Sequence, residues 1–427
     1  MTHDWPRVLK RLFRSPAVIV GELAVITLLG CLGAALPQAG VAPAAEVARL
    51  HRHGSFVPFL VDHLALDHVF TSPLFLVTLG FATVSLSIVL AEQLRRLASH
   101  WNLAPTEASF RSAPFLKVFT RPATGTGTVL RSRGRLNLAG SPLLHLGLLC
   151  VILAGALQAL FGVDAVVDLY EGEVLPPTVE AWGAQWPGPM GAPFRLETPL
   201  RLVSVESTRY GGGDLRTLRL RLAEATAEGD RMREMGINQE LSLPRGRLYA
   251  DSQHGPAAVV EWTLPTAPTI RTAALLEKKE VAAFGTYTSG PETLRARIRV
   301  PMPKDGSRPG LAEVRVLGGS ATLAEGPLRP GESLPLPGGG SLKLHGLPYW
   351  ARIHGNRDPA IGLAYLGFFL ALAGACLTYG ITRVDELVAV TPEGESERVV
   401  VALRPHRFAP LFRERFERLV RDHGGEV

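Results

Sequence analysis

Residues Ser141 to Glu173 read S-P-L-L-H-L-G-L-L-C-V-I-L-A-G-A-L-Q-A-L-F-G-V-D-A-V-V-D-L-Y-E-G-E, and this stretch decides the fold. Its first part, residues 142–161, is apolar over about 20 positions, which as a helix match the hydrocarbon core of a bilayer. One residue, His145, interrupts the run. An imidazole inside a membrane helix needs a partner in protein, water or a cofactor, so His145 is a candidate functional residue.

The apolar residues are clustered along the chain. Hydrophobic residues make up 46% and charged residues 20% of the 427 positions. Windows long enough to cross a bilayer are residues 17–37, 73–90, 142–161 and 360–381. The first window is too long for a signal-peptide core, so we expect an uncleaved anchor despite the small pair Ala34-Ala35.

The distribution of Lys and Arg predicts the orientation, because basic flanks favour the cytoplasmic side. Basic residues precede the first window and fill the segment between the second and third: Arg7, Lys10, Arg11, Arg14, Arg95, Arg96, Arg111, Lys117, Arg121, Arg131, Arg133 and Arg135. The loop between the first two windows holds only Arg49 and Arg52. We therefore expect a multi-pass membrane protein with both termini cytoplasmic. The net charge of +6 is explained by topology and lipid contact, and no stripe of charge calls for nucleic acid.

The expected architecture is an α+β membrane protein, with four transmembrane helices and a large extracytoplasmic antiparallel β-rich domain. Its parts are residues 1–162 with three spans, 163–357 as the outer domain, 358–382 as the fourth span, and a cytoplasmic tail at 383–427. We expect residues 98–140, rich in Pro, Gly, Thr and Arg, to form a loop near the anionic leaflet. Apolar residues from Phe408 to Leu419 recur at helical spacing among arginines, which predicts a basic amphipathic helix on the membrane surface.

The outer segment alternates polar and apolar residues as half-buried strands do. Residues 218–222, 260–264 and 294–300 alternate strictly, and Gly and Pro between them favour antiparallel strands in a sandwich or barrel. The pattern G-E-x-L-P occurs twice, at residues 172–176 and 331–335, which suggests paired hairpins. Cys31, Cys150 and Cys376 all fall inside spans, so the outer domain has no cysteine for a disulfide and no C-x-x-C for thiol exchange.

No catalytic constellation is visible in the outer segment. It lacks a G-x-S-x-G elbow, a phosphate-binding glycine loop and an H-E-x-x-H helix. Trp182 and Trp186 fit an apolar rim or a stacking site equally well. The pair Tyr349-Trp350, a few residues before the last window, is typical of an interfacial belt.

Two further polar residues have alternative interpretations. Glu22, near the start of the first span, either reaches the headgroups or serves a proton relay. His354 lies close to the last span and is a weaker candidate for contact with a cofactor at the outer surface. The histidines of the first outer loop, His51, His53, His63 and His68, have no spacing that predicts a metal site.

The chain resembles the ResB family of cytochrome c biogenesis proteins, membrane subunits of the system II cytochrome c synthase. The matching motifs are S-P-L-F at 72–75, H-L-G-L at 145–148, Y-E-G-E at 170–173, and D-P followed by Y-L-G-F at 365–368. Ala360 departs from the family, which usually has glycine after D-P. The order and spacing of these motifs cover the whole layout of three spans, one large domain and a last span.

The resemblance implies assistance in transmembrane haem delivery and in haem attachment to apocytochrome c. The family works with, or is fused to, a CcsA-type membrane protein that carries a W-W-D motif, and this chain has no W-W-D. His145 matches the family's intramembrane histidine and would be one axial haem ligand, while the partner supplies the other. A second possibility for His145 is a hydrogen bond that holds neighbouring helices together.

One other class of function stays open, namely a non-catalytic assembly protein whose β domain holds a protein partner. Because no catalytic constellation is visible, we expect no self-contained active site in this chain. At most, it is one subunit of a haem lyase complex. A transporter is disfavoured, because four spans without repeats or broken helices provide no binding site at the midplane.

Overall fold

The structure is a computed structural model that describes residues 11–13, 15–39, 42, 44–51, 56–209, 215–265, 267–278, 282–288, 294–303 and 307–426. The basic residues Arg7, Lys10, Arg14 and Arg52, which support the predicted orientation, lie outside this range, as does His53. The chain divides into two compact units. The membrane unit comprises residues 1–38, 47–159 and 359–427, and the β unit comprises residues 39–46 and 160–358.

Long apolar helices form where the hydropathy predicts them. The helices are α1 (Pro16–Ala35), α2 (Ala44–Leu50), α3 (Phe56–Leu64), α4 (Pro73–His100), α5 (Asn137–Phe161), α6 (Ile361–Ala375, continued by a π-helical turn at Cys376–Gly380) and α7 (Arg413–Asp422). Of these, α1, α4, α5 and α6 with its π turn are long and apolar enough to cross a membrane. The prediction of four such helices is confirmed, and the chain is a membrane protein.

Strands in the membrane unit are β1 (Phe115–Pro122), β2 (Gly127–Arg133), β20 (Val384–Glu393) and β21 (Ser396–Pro405). They form one antiparallel sheet in the order β1-β21-β20-β2. The expectation of a loop over residues 98–140 is therefore wrong. Strands β1 and β2 are stabilised by pairing with the chain's last 50 or so residues, a non-local contact that local composition does not reveal.

Helix α7 covers one face of this sheet. Val420 is buried against Val399 and Val401, and the Phe416 ring stacks on Phe115 with centroids 5.4 Å apart. The predicted amphipathic helix is thus present over Arg413–Asp422, but its apolar face packs on protein and is not free for lipid.

Strands of the β unit are β3 (Val163–Tyr170), β4 (Val174–Leu175), β5 (Ala184–Pro187), β6 (Leu200–Arg209), β7 (Leu215–Thr226), β8 (Gly229–Gly236), β9 (Leu241–Leu243), β10 (Gly246–Leu264), β11 (Ala267–Leu275), β12 (Glu277–Lys278), β13 (Ala282–Thr288), β14 (Leu294–Pro301), β15 (Ala312–Gly318), β16 (Ala321–Leu328), β17 (Ser333–Pro335), β18 (Ser341–Gly346) and β19 (Tyr349–Arg357). Every described pairing is antiparallel, which confirms the predicted strand arrangement.

The β unit contains two sandwiches that share the long strand β10. In the first, the four-stranded sheet β4-β6-β7-β8 packs on β3, β19 and the start of β10, around residues such as Leu202, Leu220 and Leu248. In the second, the sheet β12-β13-β14-β15-β16 packs on β18 and the end of β10, around Trp262 and Ile298. The first half of β10 contributes buried side chains to the first core, and its second half contributes them to the second core. A single strand therefore joins both cores.

The repeated G-E-x-L-P pattern forms the same turn in each sandwich. Gly172 and Gly331 have φ values of +93° and +96°, which glycine adopts without strain. Glu173 accepts a hydrogen bond from the Tyr170 amide at 3.1 Å, and Glu332 accepts one from the Arg329 amide at 2.8 Å. The repeat therefore marks equivalent turns before the short strands β4 and β17. The interpretation as paired hairpins is wrong, because β4 pairs with β6 and β17 with β18, so neither turn joins two strands that pair among the described residues.

Two of the aromatic interpretations change in the structure. Trp350 is 8% exposed and donates from its ring nitrogen to the Leu276 carbonyl at 3.1 Å, so the interfacial-belt interpretation of Tyr349-Trp350 is wrong. These residues begin strand β19, a position that closeness to the last span in sequence does not reveal. Trp182 belongs to the first core and packs edge-on against Phe194.

Candidate functional site

His145 lies on helix α5, and close packing against α6 fixes the position of that helix. A Cβ atom on Gly147 would lie 2.5 Å from the Gly367 carbonyl oxygen, and one on Gly374 would collide with the Leu144 nitrogen. Small residues let helix backbones approach in this way, as in many membrane helix pairs. The position of α5 is thus set by backbone contact with α6, while His145 faces α4.

The ends of α5 and α6 are also tied together by polar groups. The Asn137 amide nitrogen donates to the carbonyl oxygens of Leu377, Thr378 and Ile381 at 3.3, 2.8 and 2.6 Å. These carbonyls belong to the end of a helix and need donors from elsewhere. Asn137 therefore fixes the first turn of α5, two turns before His145, to the end of α6.

Two contacts orient the His145 ring. Its Nδ1 lies 2.8 Å from the Ser141 carbonyl oxygen, and its Nε2 lies 3.4 Å from the Gln93 amide nitrogen on α4. A carbonyl only accepts, so in the neutral ring Nδ1 carries the proton and Nε2 keeps its lone pair. Gln93 donates to that lone pair at the outer limit of a hydrogen bond. The arrangement leaves Nε2 as the ring atom available for a metal.

Another polar contact joins α1 and α4. Ser85 donates to the Glu22 carboxylate at 2.8 Å. Glu22 therefore bonds to a neighbouring helix, an arrangement that neither the headgroup nor the proton-relay interpretation includes. The Gln93 Oε1 atom, two turns further along α4, is buried without a partner among the described residues.

His354 lies on β19 in the β unit and has a strong partner. Its Nε2 is 2.8 Å from Asp251 Oδ2. Asp251 lies where the pairing of β10 with β19 shifts register, between Ala250 and His254. The hydrogen bond from His354 lowers the pKa of Asp251 to about 2, against the opposing effect of burial. His354 thus belongs to a charge-assisted pair, and His145 does not.

A cleft of about 630 Å³ lies within the β unit at the turn that contains Tyr170 and Glu171. The Glu171 carboxylate accepts from both terminal nitrogens of Arg308 at 2.6 and 2.7 Å, and from the amides of Val205 and Tyr349 at 2.9 and 3.1 Å. Burial raises the pKa of Glu171, but these hydrogen bonds outweigh it and hold the pKa below its usual value.

Other polar side chains reach the same cleft from the second sandwich. His345 sits at a bulge where β18 pairs with β10, and its Nε2 is 3.1 Å from a Glu261 carboxylate oxygen. Arg271 also lines the cleft, and burial, followed by the charge of Glu173, raises the pKa of Tyr170. Sequence analysis found the Y-E-G-E motif but not this cleft, because Arg271, Arg308 and His345 come from distant segments.

The fold and the site define a class: a membrane protein with four helices long and apolar enough to span a membrane, a histidine on one of them and a large antiparallel β unit. The model of the ResB-like family matches residues 18–114, so the resemblance to that family is confirmed over this segment. The match covers helices α1 to α4 and ends before His145. No curated protein matches the chain.

Among solved structures, the chain is similar to one titled "Cytochrome c Heme Lyase CcmF", with 12% identity and a TM-score of 0.25. The similarity covers 78% of this chain and 44% of that one, so the chain spans less than half of the structure it matches.

Proposed function

We propose that this chain is a ResB-like membrane subunit of the system II cytochrome c maturation machinery. The family match supports a role in cytochrome c biogenesis, since that is the work of the family. In this proposal the chain assists transmembrane haem delivery and haem attachment to apocytochrome c. A CcsA-type partner with a W-W-D motif supplies what this sequence lacks.

The observation that carries the proposal is the geometry of His145. Its Nε2 keeps a lone pair because Nδ1–H donates to Ser141, and among the described residues one long contact, from Gln93, opposes that lone pair. A neutral imidazole of fixed tautomer suits haem iron, which the chain would hold as cargo. The donor atom present therefore fits haem, and Gln93 would have to turn aside to admit it.

The proposed orientation places the β unit outside a bacterial plasma membrane and both termini in the cytoplasm. The arginines between residues 95 and 135 support this orientation. Reporter fusions after Leu103 and after Gly285 should report opposite sides of the membrane. Equal signals at both positions would contradict the proposed topology.

The function is tested by purifying the W-W-D partner from the same genome, alone and together with this chain, and by recording haem absorption spectra. The proposal expects the pair to purify as a complex and to retain more haem per partner than the partner alone. Equal haem content, or no association of the two chains, would overturn it.

A second candidate function is an assembly protein whose β unit holds a protein partner. The cleft between Glu171 and His345 favours it, because an open polar cleft with the exposed cation Arg271 suits an extended chain. Arg271→Glu should then weaken capture of apocytochrome c by the purified complex, while its haem content stays at the parent level. Unchanged capture would exclude the cleft as the docking site.

A further inference from the structure

Strand β21 ends at Pro405 and helix α7 begins at Arg413, and the short segment between them presents two apolar side chains to the surroundings. Phe408 is 52% exposed and Leu411 is 79% exposed. The Leu411 amide donates to the Phe408 carbonyl at 3.0 Å, which closes a tight turn. Exposed neighbouring apolar residues on a structured turn indicate a contact with something outside the chain.

The backbone of Phe408 is strained in a way that projects its ring. Its φ of +52° lies in the left-handed region, which a bulky side chain rarely adopts. The flanking contacts hold it there. The His406 amide donates to the Arg383 carbonyl at 2.9 Å, and His406 Nε2 lies 2.8 Å from Asp385. The exposure of Phe408 is thus imposed by an ordered structure.

Arg407 fixes this segment to the end of the fourth membrane helix. Its Nη1 donates to the Thr378 carbonyl at 3.1 Å, and its guanidinium carbon lies 5.7 Å from the centre of the Tyr379 ring. Thr378 and Tyr379 belong to the last turn of the apolar span that begins at Ile361. Phe408 and Leu411 therefore lie beside the carboxyl end of a membrane-spanning helix, where lipid begins.

We propose that residues 407–412 form an interfacial anchor, in which Phe408 and Leu411 insert into the lipid leaflet at the carboxyl end of α6. Arg407 and Arg413 then lie at the level of the headgroups, and their charge suits anionic lipids. Lipid is the occupant because the segment continues the exposed apolar surface of the span, to which Arg407 ties it. The anchor does not depend on haem or on the proposed function.

The anchor replaces the surface role that the amphipathic pattern assigned to α7. Phe416 and Val420, the apolar residues of that helix, pack on the sheet. The apolar residues before the helix have no such cover from the described part of the membrane unit. The pattern from Phe408 to Leu419 therefore divides into a lipid-facing turn and a protein-facing helix.

Nitroxide labels on the full-length chain test the anchor in nanodiscs of phosphatidylethanolamine and phosphatidylglycerol. The background carries Cys31→Ala, Cys150→Ala and Cys376→Ala, and the labelled positions are Phe408→Cys and Leu411→Cys in separate proteins. Phe369→Cys, at a residue 70% exposed on α6, provides the lipid-facing reference, and Glu395→Cys, at an exposed residue in the turn between β20 and β21, provides the water-facing one.

Collision rates with oxygen, which concentrates in lipid, and with a water-soluble nickel chelate distinguish the outcomes. Both test labels should resemble the Phe369 label, with oxygen collisions several-fold above nickel collisions. A nickel-dominated result like that at Glu395 would overturn the proposal. Protection from both reagents would also overturn it, because a protein partner or a second copy would then cover the turn. Leu411→Cys keeps the test valid if the strained position 408 does not tolerate substitution.

Discussion

The two candidate histidines differ in what faces their Nε2 atoms. In the membrane unit, His145 Nε2 faces an amide nitrogen at 3.4 Å, whereas in the β unit His354 Nε2 faces a carboxylate oxygen at 2.8 Å. A charge-assisted hydrogen bond is roughly twice as strong as a neutral one, so a metal would have to displace far more at His354. By this comparison His145 is the stronger candidate ligand, because the contact that opposes its Nε2 atom is the weaker of the two.

The largest expected effect is on haem binding when each histidine is removed in turn. His145→Ala should lower the haem affinity of the complex by at least about a hundredfold, or about 2.7 kcal/mol, because an axial ligand is lost. His354→Ala should change it less than about twofold. Haem titration of purified complexes measures both.

Rescue completes this comparison. Added imidazole should partly restore binding to His145→Ala, because the free ligand fills the vacated coordination position. If His145→Ala retains haem like the parent at equal protein level, the ligand role is wrong and His145 serves helix packing.

A smaller effect is expected from the glycines that position His145. Gly147→Ala should destabilise the membrane unit by about 1–3 kcal/mol, because the new methyl group meets the backbone of α6. The matched control is Gly155→Ala on the same helix, where a Cβ atom has nothing within 4 Å. Thermal unfolding in detergent should separate the two variants. Equal stability would mean that α5 and α6 do not approach as described.

Removing the Gln93 side-chain amide, which faces His145 Nε2, should increase the difference between His145 and His354 as haem ligands. Gln93→Leu should raise haem affinity about two- to fivefold, because one weak competing hydrogen bond disappears. The control is Gln158→Leu on α5, whose Oε1 is likewise buried without a partner among the described residues. A loss of affinity in Gln93→Leu alone would instead make Gln93 a residue that holds His145 in position.

The smallest effect concerns acid stability of the β unit. The pKa of Asp251 is lowered to about 2. Its contribution to the free energy of unfolding is therefore complete above the ordinary Asp pKa of about 4 and is lost as the pH falls toward 2. His354→Gln should therefore raise the pH midpoint of acid unfolding by a fraction of a unit, as followed by tryptophan fluorescence. Arg201→Gln, which breaks the exposed pair with Asp230, should leave the midpoint unchanged.

Features encoded locally could be predicted from the sequence. The window at residues 73–90 corresponds to the start of α4 (Pro73–His100), and that at 142–161 lies within α5 (Asn137–Phe161). Strict alternation at residues 294–300 corresponds to β14. Run length and period report burial directly, so such elements need no knowledge of distant partners.

Features that depend on distant contacts could not be predicted. Strands β1 and β2 pair with β21 and β20, more than 250 residues later, and nothing in their own composition indicates this. The partner of His145, Gln93, lies on another helix at a separation of 52 residues. The repeated G-E-x-L-P suggested paired hairpins, whereas it forms two equivalent turns, because a glycine with positive φ and a capping glutamate are local requirements but strand pairing is not.

The long β segment begins and ends in a single pair of residues. Val163, two residues after α5, pairs with Arg357, four residues before α6, and the Cα atoms of such a pair lie about 5 Å apart. Because the folded β unit already holds the two ends of the segment together, bringing the two helices together does not cost the closure entropy that a flexible loop of this length would. The two helices can therefore associate as they would across a short turn, and the size of the β segment can vary without a change in their contact.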